Sequence, residues 1–100
     1  MKTTIVEYTV RKDYVETNKA NIRAVTDELA QKGDTGVQYF ASLKDDGQSF
    51  VHVVISRDEE GSKVVPSLNA FKHFRTQLNT GLVSGPNSTN MDLVGKSFDL

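Results

Sequence analysis

One hundred residues, a net charge of −1 and no cysteine set the outer limits. A chain of this length makes one domain, residues 1–100, with a modest core. Near-neutrality and scattered lysines and arginines exclude the basic stripe that nucleic acid or an anionic membrane surface would need. Without cysteine there is no disulfide, thiolate metal site or cysteine nucleophile, which fits a reducing cytoplasm. The start of the chain has no charged n-region followed by an apolar run, so no signal peptide is expected. No segment approaches the roughly 20 apolar residues that cross a bilayer.

Strand-forming residues open the chain, Thr3 to Val10, rich in β-branched side chains and Tyr. Val6, Tyr8 and Val10 share one face; Ile5, Glu7 and Thr9 share the other. A helix is predicted from Tyr14 to Lys32, with Asp13 as N-cap and Gly33 as the terminating glycine. Val15, Ile22, Val25 and Leu29 form its apolar stripe, and Asn18 interrupts that stripe.

Next comes VQYFASLKDDGQSFVHVVIS, Val37 to Ser56, a hairpin about Asp45-Asp46-Gly47. Phe50 to Ile55 is apolar at both parities, where a sheet with one wet face would alternate. Both faces of this strand are therefore expected to be covered. An acidic loop, Arg57 to Lys63, precedes a second helix that starts near Pro66 and Ser67. Leu68, Phe71, Phe74 and Leu78 form its stripe. Gly81 and Gly85-Pro86 read as the helix exit, and the last strand as Ser88 to Ser97.

This order, β-α-β-β-α-β, predicts an α+β, ferredoxin-like fold with a four-stranded antiparallel sheet. Each βαβ crossover should be right-handed. Two helices cover one sheet face only. At roughly 25 cal/mol per Å² of apolar area, a bare second face would leave several kcal/mol unrealised. The expectation is a homodimer through the sheet face about a twofold axis, with an apolar pocket between the facing sheets.

Several segments carry a family resemblance. They are Val6-Glu7-Tyr8-Thr9-Val10 with Arg11-Lys12-Asp13, then Ile22-Arg23-Ala24-Val25 ahead of Glu28-Leu29, and Gly36-Val37-Gln38-Tyr39. Asp45-Asp46-Gly47 with Phe50-Val51-His52, and Leu68-Asn69-Ala70-Phe71, complete the set. Together they span nearly the whole chain, which resembles the dimeric α/β-barrel proteins of the antibiotic biosynthesis monooxygenase-like superfamily, in an uncharacterised branch. The resemblance implies a homodimer enclosing a mostly apolar cavity. Some members oxidise aromatic or quinol-like compounds with O₂ and no bound cofactor; others degrade haem. The absence of Trp argues against the haem branch.

Among side chains that could carry chemistry, His52 stands out, set in the doubly apolar strand. It reads as a general base or hydrogen-bond donor facing a cavity, or as a buried histidine bonded to backbone or to a neighbouring Tyr. Register decides its setting: a two-residue loop at Asp46-Gly47 puts it opposite Ala41, near Tyr39, and a three-residue loop puts it beside Phe40. Tyr8, Tyr39, Phe40 and Asn18 are the accompanying candidates for binding a small apolar or aromatic ligand, against the alternative that they are core or bond a loop. His73 should face away from the sheet. Two histidines on separate elements make a poor metal site, and Asp58, Glu59 and Glu60 read as a solvated loop. No metal and no cofactor is expected. The function is then that of a cofactor-independent monooxygenase-like enzyme acting on an aromatic or quinone-like molecule, or of a non-catalytic dimeric module binding a small apolar ligand.

Overall fold

The computed structural model describes residues 1–100 as seven elements. These are β1 (Lys2–Val10), α1 (Val15–Gln31), β2 (Val37–Leu43), β3 (Ser49–Ser56), α2 (Val64–Ser67), α3 (Asn69–Leu78) and β4 (Leu82–Asp92). The strands pair antiparallel in the order β2-β3-β1-β4. This is the expected ferredoxin-like sheet, with the helices on one face.

Residues that alternate along the strands sort themselves accordingly. Tyr8, Val10 and Phe50 point under the helices and meet Val25, Phe74 and Leu78 in the core. On the outer face lie Ile5, Val51 and Val53, half-buried, and Phe40, which is 51% exposed. At one end of that outer face the chain itself supplies some cover. Leu93 N donates to Met1 O, Gln38 Nε2 to Asp99 O, and Arg57 to Leu100 O, so residues 93–100 strap across from β4 towards β2. The covering that both parities of β3 demanded is thus nearly complete under the helices, where Val54 alone is half-buried, and partial outside.

Helix α1 keeps its predicted stripe: Val15, Ile22, Val25 and Leu29 are buried. Asp13 does not cap it. A 3₁₀ turn, Lys12–Tyr14, leads in instead, and Asp13 bonds Arg11. Gly33 does end it, at φ 77°. The second helix is broken in two. Leu68 takes an extended conformation (φ −69°, ψ 137°) and is fully buried, so α2 and α3 meet at an angle. Pro66 sits inside the single turn of α2, where a missing N–H costs no helical bond. The first N–H groups of α3 go to Glu28 of α1: Ala70 N donates to Oε1 at 2.8 Å and Asn69 N to Oε2 at 3.3 Å.

The last strand corrects the sequence reading. It runs Leu82–Asp92, not Ser88 to Ser97, and contains the Gly85-Pro86 pair taken for a helix exit. As an edge strand it tolerates Pro, whose missing N–H can face solvent. The β1–β4 register slips between Glu7 and Thr9, opposite this pair. Gly85 has φ +84°, and a Cβ there would come within 2.8 Å of Glu7 O. Past Leu82 every β4 residue is exposed, so no apolar alternation marked it in the sequence.

The β2–β3 hairpin resolves the register. Ala41 pairs with His52 and Lys44 N donates to Ser49 O, leaving a four-residue loop, Asp45–Gln48. This is the register assigned to a two-residue loop, reached with a longer one. Gly47 supplies φ +74°, and Asp46 Oδ1 accepts from Gln48 N and Ser49 N. Those bonds also hold the Asp46 carboxyl below the usual carboxylate range, the Ser49 hydroxyl contributing most.

Candidate functional site

Strand register brings three aromatic polar side chains to one spot. Val6 of β1 and Ala41 of β2 flank His52 of β3. Tyr8 lies one step along β1 on the same face, and Tyr39 one step along β2 in the opposite direction. Their rings reach back, and the hydroxyls meet the two nitrogens of one imidazole. Tyr8 Oη lies 2.6 Å from His52 Nε2, and Tyr39 Oη lies 2.6 Å from Nδ1. Asn18 extends the chain from α1: its Nδ2 donates to Tyr8 Oη at 2.8 Å. The apolar stripe is interrupted there because the side chain has a partner, and Asn18 is fully buried.

Donor counting gives the chain a direction. Tyr8 Oη accepts from Asn18, so its own proton goes to His52 Nε2. A neutral imidazole then carries its proton on Nδ1 and donates to Tyr39 Oη. The Tyr39 proton is left over, at the end of the chain. Asn18 Oδ1, also buried, has no protein partner. Turning that amide over would reverse each bond: Tyr8 would donate to Oδ1, Nε2–H to Tyr8, and Tyr39 to Nδ1. The terminal Tyr39 oxygen would then be an acceptor. One network therefore offers either a donor or an acceptor at Tyr39.

Burial fixes the charge state. It pushes His52 down to about 4 and raises both tyrosines well above 10. For Tyr8 the Asn18 N–H partly opposes that rise, and for Tyr39 the neighbouring Tyr8 adds to it. At neutral pH the imidazole is neutral and both phenols are protonated. The ring of Phe74 packs 5.3 Å from that of His52.

His52 and both tyrosines line a cavity of about 280 Å³. Its floor is the helix-side face of β1 and β3, through Val6 and Val54, and its roof is α2 and α3, through Val65, Phe71 and Phe74. The apolar pocket lined by His52 and the tyrosines lies beneath the helices, on the face opposite the one the sequence reading would pair with a second sheet. Its polar groups converge on one wall, an arrangement common in small-molecule sites.

The remaining expectations sort as follows. Tyr8, Tyr39, Asn18 and His52 come together, Asn18 behind Tyr8 rather than on the cavity wall. Phe40 does not join them: its parity puts it on the outer face of β2. His73 is exposed on α3, pointing away from the sheet as its helical angle required. No group of three or more His, Asp or Glu residues is placed to hold a metal ion, and no helix is long and apolar enough to cross a membrane. Arg75 and Ser62, which no sequence motif marks, also line the cavity, from α3 and the loop before α2. Helical spacing could have flagged Arg75, one turn after Phe71.

Several solved structures share this architecture. One described as an antibiotic biosynthesis monooxygenase aligns with a TM-score of 0.81 over 95% of this chain and 100% of its own, at 13% identity. A putative antibiotic biosynthesis monooxygenase from Nitrosomonas europaea gives 0.79 over 95% and 100%, at 15% identity. A protein of unknown function from the same organism gives 0.78 over 99% and 94%, at 18% identity. The chain therefore has the fold of the antibiotic biosynthesis monooxygenase-like proteins. Neither a protein-family profile nor a curated protein matches it by sequence.

Proposed function

We propose that the protein is a small homodimeric enzyme of the monooxygenase-like kind, acting on an aromatic or quinone-forming molecule held beneath α2 and α3. The observation that carries this reading is the neutral Asn18–Tyr8–His52–Tyr39 chain ending at the wall of an apolar cavity. Fold alone would not support it, because one fold hosts many chemistries.

The chain's residues can begin such a reaction by moving a proton. With the Asn18 amide turned over, so that Nε2 carries the imidazole proton and Nδ1 is free, a bound phenol donates to Tyr39 Oη as Tyr39 passes its own proton to His52 Nδ1. The imidazolium so formed donates through Nε2 to Tyr8, whose proton turns to Asn18 Oδ1. An imidazole lowered to about 4 is a weak base towards solvent. It accepts a proton here because the phenolate left behind, one tyrosine away in an apolar cavity, stabilises the new cation. The phenolate is electron-rich and reacts with O₂ at the free para carbon. One oxygen atom becomes a new carbonyl there, and the other leaves as water with the phenolic and para hydrogens. The substrate supplies all the electrons, so the step balances without another reductant.

The test is oxygen uptake with 1-naphthol, whose product would be 1,4-naphthoquinone. The expected result is one O₂ consumed per quinone formed, abolished in His52→Phe and Tyr39→Phe. Binding of 1-naphthol without oxygen uptake would support the second reading, a dimeric module that only binds small apolar ligands. That reading is favoured by the mutual saturation of the network, which leaves one proton to offer. Absence of both binding and uptake would overturn both readings.

The dimer would form through the outer sheet face. Ile5, Val51 and Val53 are half-buried there, Phe40 and Met91 are exposed, and the strap of residues 93–100 covers one end only. The two cavities would lie on the far sides of the paired sheets.

A further inference from the structure

The cavity meets an outer groove between α3 and β4. Pro86 of β4 and Leu78 of α3 belong both to the cavity and to the groove outside it, and so does Arg75. Lys72 lines the groove one turn before Thr76, together with Asn79. Neither the cavity nor the groove has an aspartate or glutamate in its wall. The chain as a whole carries one more acidic than basic residue, so this opening runs against its balance.

The two cations have no internal partner. The ion pairs of the molecule use Arg11, Lys19, Lys44, Arg57 and Lys63, and neither Lys72 nor Arg75. The Arg75 guanidinium instead stands over the ring of Phe71, its carbon 6.0 Å from the ring centroid. That weak contact places the planar fork beside the cavity wall and leaves its N–H groups unspent. Helix α3, Asn69–Leu78, contains no acidic residue to draw it away.

An apolar cavity with an unpaired guanidinium at its mouth recognises a particular shape of molecule. We propose that the ligand of this site is an aromatic acid. Its ring system lies against Val6, Val54 and Phe74, and its carboxylate reaches out to Arg75, with Lys72 adding to the field. This rests on the cavity being the ligand site. Arg75 accordingly sets specificity. A planar fork suits a carboxylate in two parallel hydrogen bonds, and a lysine in its place would meet the same charge less specifically. Exposure at the mouth makes the contact sensitive to salt.

The test compares 2-naphthoate with 2-naphthamide, equal in shape and different in charge, by titration calorimetry at low and at high salt. Wild-type protein should bind the acid at least tenfold tighter than the amide, with the difference shrinking as salt rises. Arg75→Gln should remove most of that preference and leave amide affinity within about twofold. Arg75→Lys should retain part of it, and Lys72→Gln should lower it slightly. Equal affinity for acid and amide in the wild type would overturn the charge assignment while leaving the cavity as an aromatic site. A preference that survives in the Lys72→Gln/Arg75→Gln double variant would overturn the roles of these two residues. Failure to bind either compound would overturn the cavity as the ligand site, and this proposal with it.

Discussion

Tyr39 and His52 are diagonal partners across the β2–β3 pair, and their Oη–Nδ1 distance is 2.6 Å. Diagonal positions on one face lie about 7–8 Å apart, a gap that only long side chains close. Slipping the hairpin by one residue would turn Tyr39 outward and leave Nδ1 unpaired in a dry site. The register that pairs Ala41 with His52 therefore builds the site as well as the hairpin. Tyr39→Phe removes a hydroxyl and almost no volume. It should keep the fold, leave Nδ1 without a partner and lower stability by about 1–2 kcal/mol. Affinity for a phenolic ligand should drop about tenfold, read by calorimetry with 1-naphthol. Unchanged affinity would remove Tyr39 from the site.

Burial of His52 links folding to pH. Its value is about 4 in the folded chain, against an ordinary 6.5. Between these values the unfolded chain binds more protons than the folded one, so stability rises with pH through this window. Lowering the pH from 7 to 4 should cost about 3 kcal/mol at this residue, and the cost should level off below 4. Urea midpoints across that range measure it, and His52→Phe should flatten the dependence. The tyrosines act at the other end. Both are raised above 10 by burial, so the unfolded chain ionises first and stability should fall as pH rises past 10.

Most of this arrangement was legible in the residues, and the exceptions have physical causes. The stripe of α1 and the alternation along β1 named the core because burial there is one-sided and periodic. Parity put Tyr8, Tyr39 and His52 on one face once the register was known. The register depended on backbone bonds around Asp46, which composition does not determine. The apolar outer residues of β3, Val51, Val53 and Ile55, point to a covered outer face and give no sign of the space under the helices. The break between α2 and α3 falls at Leu68, and a buried leucine in an extended conformation has no sequence signature. Strand β4 was half missed because an exposed edge strand has no apolar alternation to detect.

Gly81 lies against the ring of Tyr14. A Cβ built at this glycine would stand 2.2 Å from Tyr14 Cγ, so an alanine requires the ring or the turn to move. Tyr14 is itself buried at the foot of α1, between the first helix and the start of β4. Gly81→Ala should lower stability by roughly 1–3 kcal/mol, the usual cost of overpacking. Truncating Tyr14 to Ala opens space, so it should reduce the extra cost of Gly81→Ala in a double-mutant cycle read by chemical denaturation. Additive losses would show that the strain lies elsewhere.

Glu28 joins α1 to α3 by accepting the first N–H groups of the helix that roofs the cavity. Its carboxylate also faces the positive end of the helix dipole. Glu28→Gln keeps one acceptor and loses the charge, and Glu28→Ala loses both. The expected losses of stability are about 0.5 and about 1 kcal/mol, in that order. Hydrogen exchange should show the effect first at Asn69 and Ala70, before the sheet amides respond. Equal protection there in wild type and Glu28→Ala would remove the cap from the account.

The outer sheet face leads to the last prediction. Ile5, Val51, Val53 and Phe40 make an apolar surface on β1, β3 and β2 that the helices do not reach. A second copy turned about a twofold axis would set the same residues against themselves. Sedimentation equilibrium at micromolar concentration should give twice the chain mass. Val53→Lys puts a charge at the centre of that face, which a dimer would have to bury against its own copy. It should yield monomers, with the cavity and its 2-naphthoate affinity intact because those residues lie on the opposite side of the sheet. A wild-type chain that sediments as a monomer would sink the dimer. A Val53→Lys variant that stays dimeric would move the interface to another face.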